Sequence, residues 1–246
     1  MPIPTLRKWL GIEIVETSLT EKLVAAAGGG LSIMVLIYLC LQVLPGEGAA
    51  QVIGSMGASA VLLFAVPHGP LSQPWPVIAG HTFSAAIGVA CARWIHAPAV
   101  AAACAVGLAI GAMHQLKCIH PPGGATAFAA VMGGNAVRGL GFGFVLFPVL
   151  ANALIMVLLA VIINGCFKWR RYPAVLSRPS RPAKPSSSSQ PTHSEVVAAI
   201  RSLDSFVDIS EQDLLHLVET LSRHPAYRGS QGKREQPALR EKVRVS

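Results

Sequence analysis

Lys117-Cys118-Ile119-His120-Pro121-Pro122-Gly123-Gly124-Ala125-Thr126-Ala127 is the stretch on which the fold turns. The residue before a proline is pushed out of the helical region, so a helix cannot run through His120. A proline pair has fixed φ and no N–H, which suits the first turn of a new helix. The chain is therefore expected to break at Ile119–His120 and to start a short helix near Pro121. Gly123 and Gly124 let another backbone or a ligand come close. Non-helical backbone at membrane depth is tolerated only when buried in protein or lining a wet cavity. The motif is thus expected to face protein, not lipid.

Working outward, the flanking sequence is apolar enough to be membrane. The chain has 246 residues, is 52% hydrophobic and 13% charged, and carries a net charge of +8. Soluble domains hold roughly a quarter charged residues. Between residues 23 and 166 the only charged side chains are Glu47, Arg93, Lys117 and Arg138. Four charges cannot cover a globule of that size, which excludes a soluble fold for this part. From Phe167 onward lie 14 of the 20 Lys and Arg and 8 of the 12 Asp and Glu. The basic residues flank apolar segments without interleaved aromatics, so the charge does not point to nucleic acid.

A crossing helix needs about 20 apolar residues at 1.5 Å each. Residues 23–44, 75–94, 97–116 and 140–167 meet this. Two further segments, 49–66 and 121 to about 136, are short and rich in small residues, and either cross or dip in. The expected fold is an all-α polytopic membrane protein with four long helices and two short or re-entrant ones. Arg7, Lys8 and Lys22 precede the first span, and Lys168, Arg170 and Arg171 follow the last. The positive-inside rule puts both ends in the cytosol and requires an even number of crossings, four or six. Trp75, Trp94 and Trp169 stand at expected span ends. Residues 1–22, with Glu13, Glu16 and Glu21, are not a secretory signal and read as an interfacial segment. Residues 168–192 are Pro-, Ser- and Arg-rich and read as a linker. Residues 193–246 read as a short helical, partly disordered tail, too small for a core of its own.

The sequence also repeats itself. Gly57-Ala58-Ser59-Ala60 recurs as Gly124-Ala125-Thr126-Ala127, 67 residues on. The same offset overlays long span, short segment and long span of each half, giving two three-segment repeats. Crossing short segments would invert the halves, a common transporter plan with the site between them.

Candidate site residues follow from this pattern. Lys117, His120, Pro121, Pro122, Gly123, Gly124 and Thr126 form one group, and Gly54, Ser55, Gly57 and Ser59 the matching one. Backbone amides at a helix start near Pro121, and at one near Gly54, suit an anion, with hydroxyls replacing lost hydration. Small-xxx-small spacings such as Gly54/Ala58 and Gly57/Val61 also serve close helix packing. Lys117 offers positive charge at an entrance or snorkels to an interface. His81 and His114 are the histidines expected to be buried and hydrogen-bonded. No histidine pair has helical metal spacing, and no cofactor is implied. Cys40, Cys91, Cys104, Cys118 and Cys166 form no CxxC and read as small apolar fillers. No Ser/His/Asp set, Walker loop or HExxH occurs, so nothing points to an enzyme. The lack of intramembrane carboxylates other than Glu47 argues against cation or proton coupling and leaves an anion or a neutral polar solute.

The run from His120 to Ala127, with Gly54–Ala60 and Gln73-Pro74-Trp75 upstream, resembles the HPP family of integral membrane proteins over roughly residues 20–170. The resemblance implies a four-span membrane protein. Plant chloroplast members are regarded as nitrite transporters, which implies a nitrite-like substrate. Asp208–Leu215 is similar to the connector that leads into paired CBS domains in longer relatives, a pair this reading does not include. The implied setting is a bacterial-type cell (inner) membrane. The expected function is a transporter or channel for a small anion, and the alternative is a membrane anchor or sensor presenting its tail to a cytosolic partner. Homo-oligomerisation is left open.

Overall fold

The computed structural model describes residues 17–42 and 46–177, with backbone alone for residues 46–52. The expected N-terminal interfacial segment, but for its last six residues, and the tail beyond residue 177 lie outside the described residues. Helices run over Leu19–Leu41 (α1), Gly46–Ala65 (α2), Pro74–Trp94 (α3), Pro98–Gln115 (α4), Pro121–Met132 (α5), Gly134–Leu140 (α6) and Ala151–Gly165 (α7). Among the described residues there is no strand. Among the described residues four helical stretches are long and apolar enough to cross a membrane: Leu19–Leu41, Pro74–Trp94, Pro98–Gln115 and Val145–Gly165. These are the four spans expected from hydropathy. At 12 residues, α5 is about 18 Å long and does not cross roughly 30 Å of hydrocarbon alone.

Local sequence explains the helix boundaries. Ser18 caps α1 by accepting from the Glu21 N–H at 3.2 Å. Helices α3, α4 and α5 each begin with proline in the first turn. The Gln73 side chain amide donates to the Pro67 and Gly69 carbonyls at 3.1 and 2.9 Å, and its carbonyl accepts from the Ala174 N–H at 3.0 Å. The proline-rich loop is thereby tied before α3 starts. Helix α4 ends in a Schellman motif: the Cys118 N–H reaches the Met113 carbonyl at 2.9 Å and the Lys117 N–H the His114 carbonyl at 3.3 Å. Lys117 takes the left-handed position, φ 53°, that glycine usually fills. His120 is extended at φ −142°, ψ 101°, and α5 starts at Pro121, so the break falls where the proline pair requires it.

Two expectations about helix limits need correction. No helix starts near Gly54; α2 starts at Gly46, and Gly54 lies within it. The last span is not one continuous helix from residue 140. It follows a turn at Gly141 and a π-type turn at Val145–Leu150, where Phe147 is non-helical (φ −135°) and Pro148 interrupts the ladder.

Helices α1, α2, α3, α4, α5 and α7 alternate in direction. Buried Arg170, just past α7, pairs with Glu21 in the first turn of α1 and donates to the Phe64 carbonyl at the end of α2. The Asn164 side-chain oxygen Oδ1 accepts from the same guanidinium at 3.2 Å, and the Trp169 indole donates to Glu21 at 3.0 Å. At this near end the Trp75 indole also donates to the Leu116 carbonyl at 3.1 Å, joining the start of α3 to the end of α4. At the far end the Asn152 amide donates to Cys40 Sγ at 3.0 Å. Both ends of the described bundle therefore lie on one side. Residues 168–177, read from sequence as the start of a linker, instead pack on the bundle. Arg170 and Tyr172 are buried, and the Tyr172 hydroxyl donates to the Ser72 carbonyl at 2.8 Å.

The surface is the reverse of a soluble protein's. Leu23, Met34, Tyr38, Leu108, Leu146 and Leu158 are exposed, whereas Ser59, His81, Ser84, His120, Thr126 and Asn152 are buried. Such a face suits hydrocarbon, with polar groups paired inside. Helices α3 and α5 form the tightest seam. A Cβ at Gly88 would lie 2.6 Å from the Ala127 carbonyl oxygen, and one at Gly80 would lie 2.8 Å from His120 Cβ. The small-residue seam is thus Gly80, Ser84 and Gly88 of α3, not Gly54 or Gly57. Those two have no described atom within 4 Å of an added Cβ.

Two outcomes are expected. Cysteine placed at position 117 should label from the side that holds Glu21 and Arg170, and cysteine at Arg138 from the opposite side. Glu21→Gln should cost about 3–5 kcal/mol by leaving the Arg170 guanidinium buried without its counter-charge, read as a lowered unfolding midpoint in detergent.

Candidate functional site

Four fully buried polar side chains meet where α2, α3 and the start of α5 come together: Ser59, His81, His120 and Thr126. Ser59 Oγ lies 2.7 Å from His81 Nε2 and 2.8 Å from His120 Nε2. His81 Nδ1 lies 2.7 Å from Thr126 Oγ1, and His120 Nδ1 lies 2.9 Å from the Leu71 carbonyl oxygen. The two imidazoles stand edge to face, centroids 4.9 Å apart.

The end of this chain sets its polarity. A carbonyl only accepts, so His120 carries its proton on Nδ1 and donates to Leu71. Its Nε2 then accepts from the Ser59 hydroxyl. Ser59 Oγ accepts from His81 Nε2–H, and His81 Nδ1 accepts from the Thr126 hydroxyl. For the neutral cluster, one carbonyl fixes two tautomers and two hydroxyl orientations. Burial pushes the His120 imidazole well below its ordinary value, because the charged form loses its hydration.

Each element contributes for a local reason. The proline pair holds His120 extended, which aims its ring back across the bundle instead of along α5. Gly80 leaves room for it, since a methyl there would meet His120 Cβ. Gly123 is closed off by α3, with the Gly80 carbonyl oxygen and Ser84 Oγ each 2.9 Å from where its Cβ would be. Ser84 Oγ is buried with no hydrogen-bond partner among the described residues. Unmet buried hydroxyls cost roughly 1–3 kcal/mol, so Ser84 is a donor in want of an acceptor.

Of the residues expected at the site, His120, Thr126 and Ser59 come together. Gly123 and Pro122 are buried beside them, and the Pro122 carbonyl lies 3.3 Å from Thr126 Oγ1. Gly124 is half-buried and Pro121 exposed. Lys117 is exposed. Ser55 is buried, and its carbonyl lies 3.3 Å from Ser59 Oγ. Gly54 is exposed and Gly57 half-buried, and neither touches the cluster. The first turn of α5 is poor in free amides: Pro121 and Pro122 have none, and the Gly123 N–H donates to the His120 carbonyl at 2.8 Å. Side chains, not helix-start amides, make up this site.

His81 is buried and hydrogen-bonded as expected, but sequence gave no reason to place it beside His120. Its signal was an ionisable side chain mid-way along an apolar span. His114, expected to be buried, is exposed near the end of α4. Ser84 gave no sequence signal beyond its spacing from Gly80 and Gly88. His81 and His120 are two candidate metal ligands, and among the described residues no third His, Cys, Asp or Glu joins them.

Apolar alternating helices, a polar interior and a broken helix closing on two histidines define an all-helical polytopic membrane protein. Residues 15–173 match the family described as HPP, transmembrane region, and the chain belongs to that family. It is similar to two transmembrane proteins of Dictyostelium discoideum. One is 39% identical over 177 residues, 70% of this chain and 57% of the relative. The other is 46% identical over 125 residues, 49% of this chain and 44% of the relative. The chain thus spans about half the length of these relatives. No solved structure matches it.

Ser59→Ala should orphan Nε2 of both histidines at once and destabilise the protein by about 1–3 kcal/mol per orphaned group. Thermal unfolding in detergent is the measurement, and an unchanged midpoint would remove Ser59 from the cluster.

Proposed function

We propose that this protein is a membrane transporter or channel for a small anion of the nitrite type. The observation that carries this reading is the buried cluster of Ser59, His81, His120 and Thr126, with no carboxylate in it. A polar group inside a membrane bundle is costly to keep and usually marks a solute path. Hydroxyl and imidazole donors without carboxylates favour a negative or neutral guest over a cation. The unpartnered Ser84 hydroxyl one turn from His81 adds a donor at the same place.

The alternation of helices supports two inverted repeats, α1–α3 and α4–α7, with the path between them. The 67-residue offset pairs Ser59 with Thr126, and both hydroxyls reach His81. Positive charge at residues 22, 168 and 171, with Lys117 and Arg170 at the same end, favours a cytosolic near end in a cell (inner) membrane. Lys117 stands exposed at that end, where it would attract the anion.

Purified protein in liposomes tests the reading by uptake of nitrite, nitrate, formate and chloride over protein-free vesicles. Nitrite uptake is expected. Thr126→Val should lower it about tenfold, the equivalent of one lost hydrogen bond of about 1.4 kcal/mol, and Lys117→Ala should lower it less. Absence of any anion flux from inserted protein would favour a membrane anchor that presents its tail to a partner.

A further inference from the structure

We propose that the Thr126–His81–Ser59–His120 chain is a proton relay, so that the anion crosses together with a proton. This rests on the anion-transport reading above and adds the coupling ion to it. Sequence argued against proton coupling for want of carboxylates; the two buried imidazoles, brought together only by the fold, take that part.

The geometry offers an acceptor for every donor in two opposite polarities. In the neutral chain, donation runs from Thr126 to His81 to Ser59 to His120 and ends on the Leu71 carbonyl. Thr126 is buried, so let water that enters with the anion deliver a proton to Thr126 Oγ1. Thr126 passes its original proton to His81 Nδ1, and His81 releases the one on Nε2 to Ser59 Oγ. Ser59 passes its own to His120 Nε2. At Thr126 Oγ1 and Ser59 Oγ one O–H bond forms and one breaks, His81 exchanges Nε2–H for Nδ1–H, and His120 gains Nε2–H with the added positive charge. Release runs the same steps backwards from His120 Nε2 to Thr126 Oγ1, which returns the proton to water on the side to which the anion departs. Donation now runs the other way. His120 Nε2–H points to Ser59, the Ser59 hydroxyl to His81 Nε2, and His81 Nδ1–H to Thr126. The Thr126 hydroxyl turns to the Pro122 carbonyl at 3.3 Å, while His120 Nδ1–H stays on Leu71. The two end carbonyls, Leu71 and Pro122, are what permit both states without an orphaned donor.

The charged state needs a partner. The groups around His120 are few: His81 from α3 is the titratable group in contact with it. Cys118 from its own loop is buried with Ala79 and Met113. Lys117 is exposed, and on α4 so is His114. Tyr172 is committed to the Ser72 carbonyl, and Arg170 and Glu21 to each other. The described side chains of α2 supply no charge. Among the described residues no carboxylate therefore neutralises an imidazolium at position 120, and a bound anion does so. Ser84, facing Gly123 between His120 and Thr126, supplies the remaining hydroxyl donor. Charge balance then couples the two: the anion stabilises the proton on His120, and the proton holds the anion.

Two measurements test this on the full chain in liposomes. With the membrane potential clamped, nitrite uptake should acidify the lumen by one proton per nitrite above the protein-free background. It should rise about tenfold per pH unit as the outside is lowered from about pH 7.5 to about pH 5.5, while proton binding limits. His120→Gln, which accepts a hydrogen bond but cannot relay a proton, should abolish the acidification. Nitrogen-15 NMR of histidine-labelled wild-type protein with nitrite present reads the relay without transport. His81 should switch from the Nε2–H to the Nδ1–H tautomer as His120 gains its proton. Nitrite uptake without acidification would overturn the coupling and leave the transport reading intact. No uptake of any anion would overturn both. A His81 tautomer that holds through the titration would overturn the relay whatever the flux.

Discussion

Two imidazoles that cannot reach water must find each other's partners, and Ser59 is the atom pair between them. Its hydroxyl meets Nε2 of both His81 and His120, so α2, α3 and the break before α5 are held to one register. A buried hydrogen bond missed by an ångström costs most of what an unpaired polar group costs. The tightness of the α3–α5 seam follows from the same demand. Gly80, Gly88 and Gly123 take out the methyl groups that would hold the helices apart. The proline pair contributes by denying His120 a helical conformation, which sends its ring sideways into the bundle.

A second polar cluster sits at the near end and does different work. Arg170, Glu21, Asn164 and the Phe64 carbonyl join the start of α1, the end of α2 and the segment after α7. It contains a full ion pair, whereas the central cluster contains no carboxylate. That contrast separates their roles. A closed ion pair has satisfied its charges and ties helices together. A chain of neutral donors and acceptors, with one spare hydroxyl beside it, can accept a guest or a proton without first breaking a strong bond.

Hydropathy made the four long helices legible, because crossing lipid demands about 20 apolar residues whatever the neighbours are. The break at Ile119–His120 was legible for a purely local reason, the steric exclusion that proline imposes on the residue before it. Expectations failed where partners distant in sequence decide. Gly54 and Gly57 have the spacing of a packing motif, yet the seam formed at Gly80, Ser84 and Gly88, which face α5. Arg170 reads as a flanking positive charge, and its carboxylate partner lies 149 positions earlier. Pro148 lies in an apolar run that hydropathy treats as continuous, and only backbone geometry reveals the turn there.

Alone, the sequence determined that the protein is helical, lives in lipid and interrupts a helix at a His-Pro-Pro motif. Length, apolarity and proline sterics are properties of neighbouring residues, and they act before any tertiary contact forms. Only the tertiary structure decided that His81 joins His120 through Ser59, because that meeting spans 22 and 61 positions of chain. Hydrogen bonds of this kind have no signature in local pattern. They exist because three helices pack closely enough to bring four polar side chains together, and the polarity of the chain is set by a loop carbonyl at Leu71.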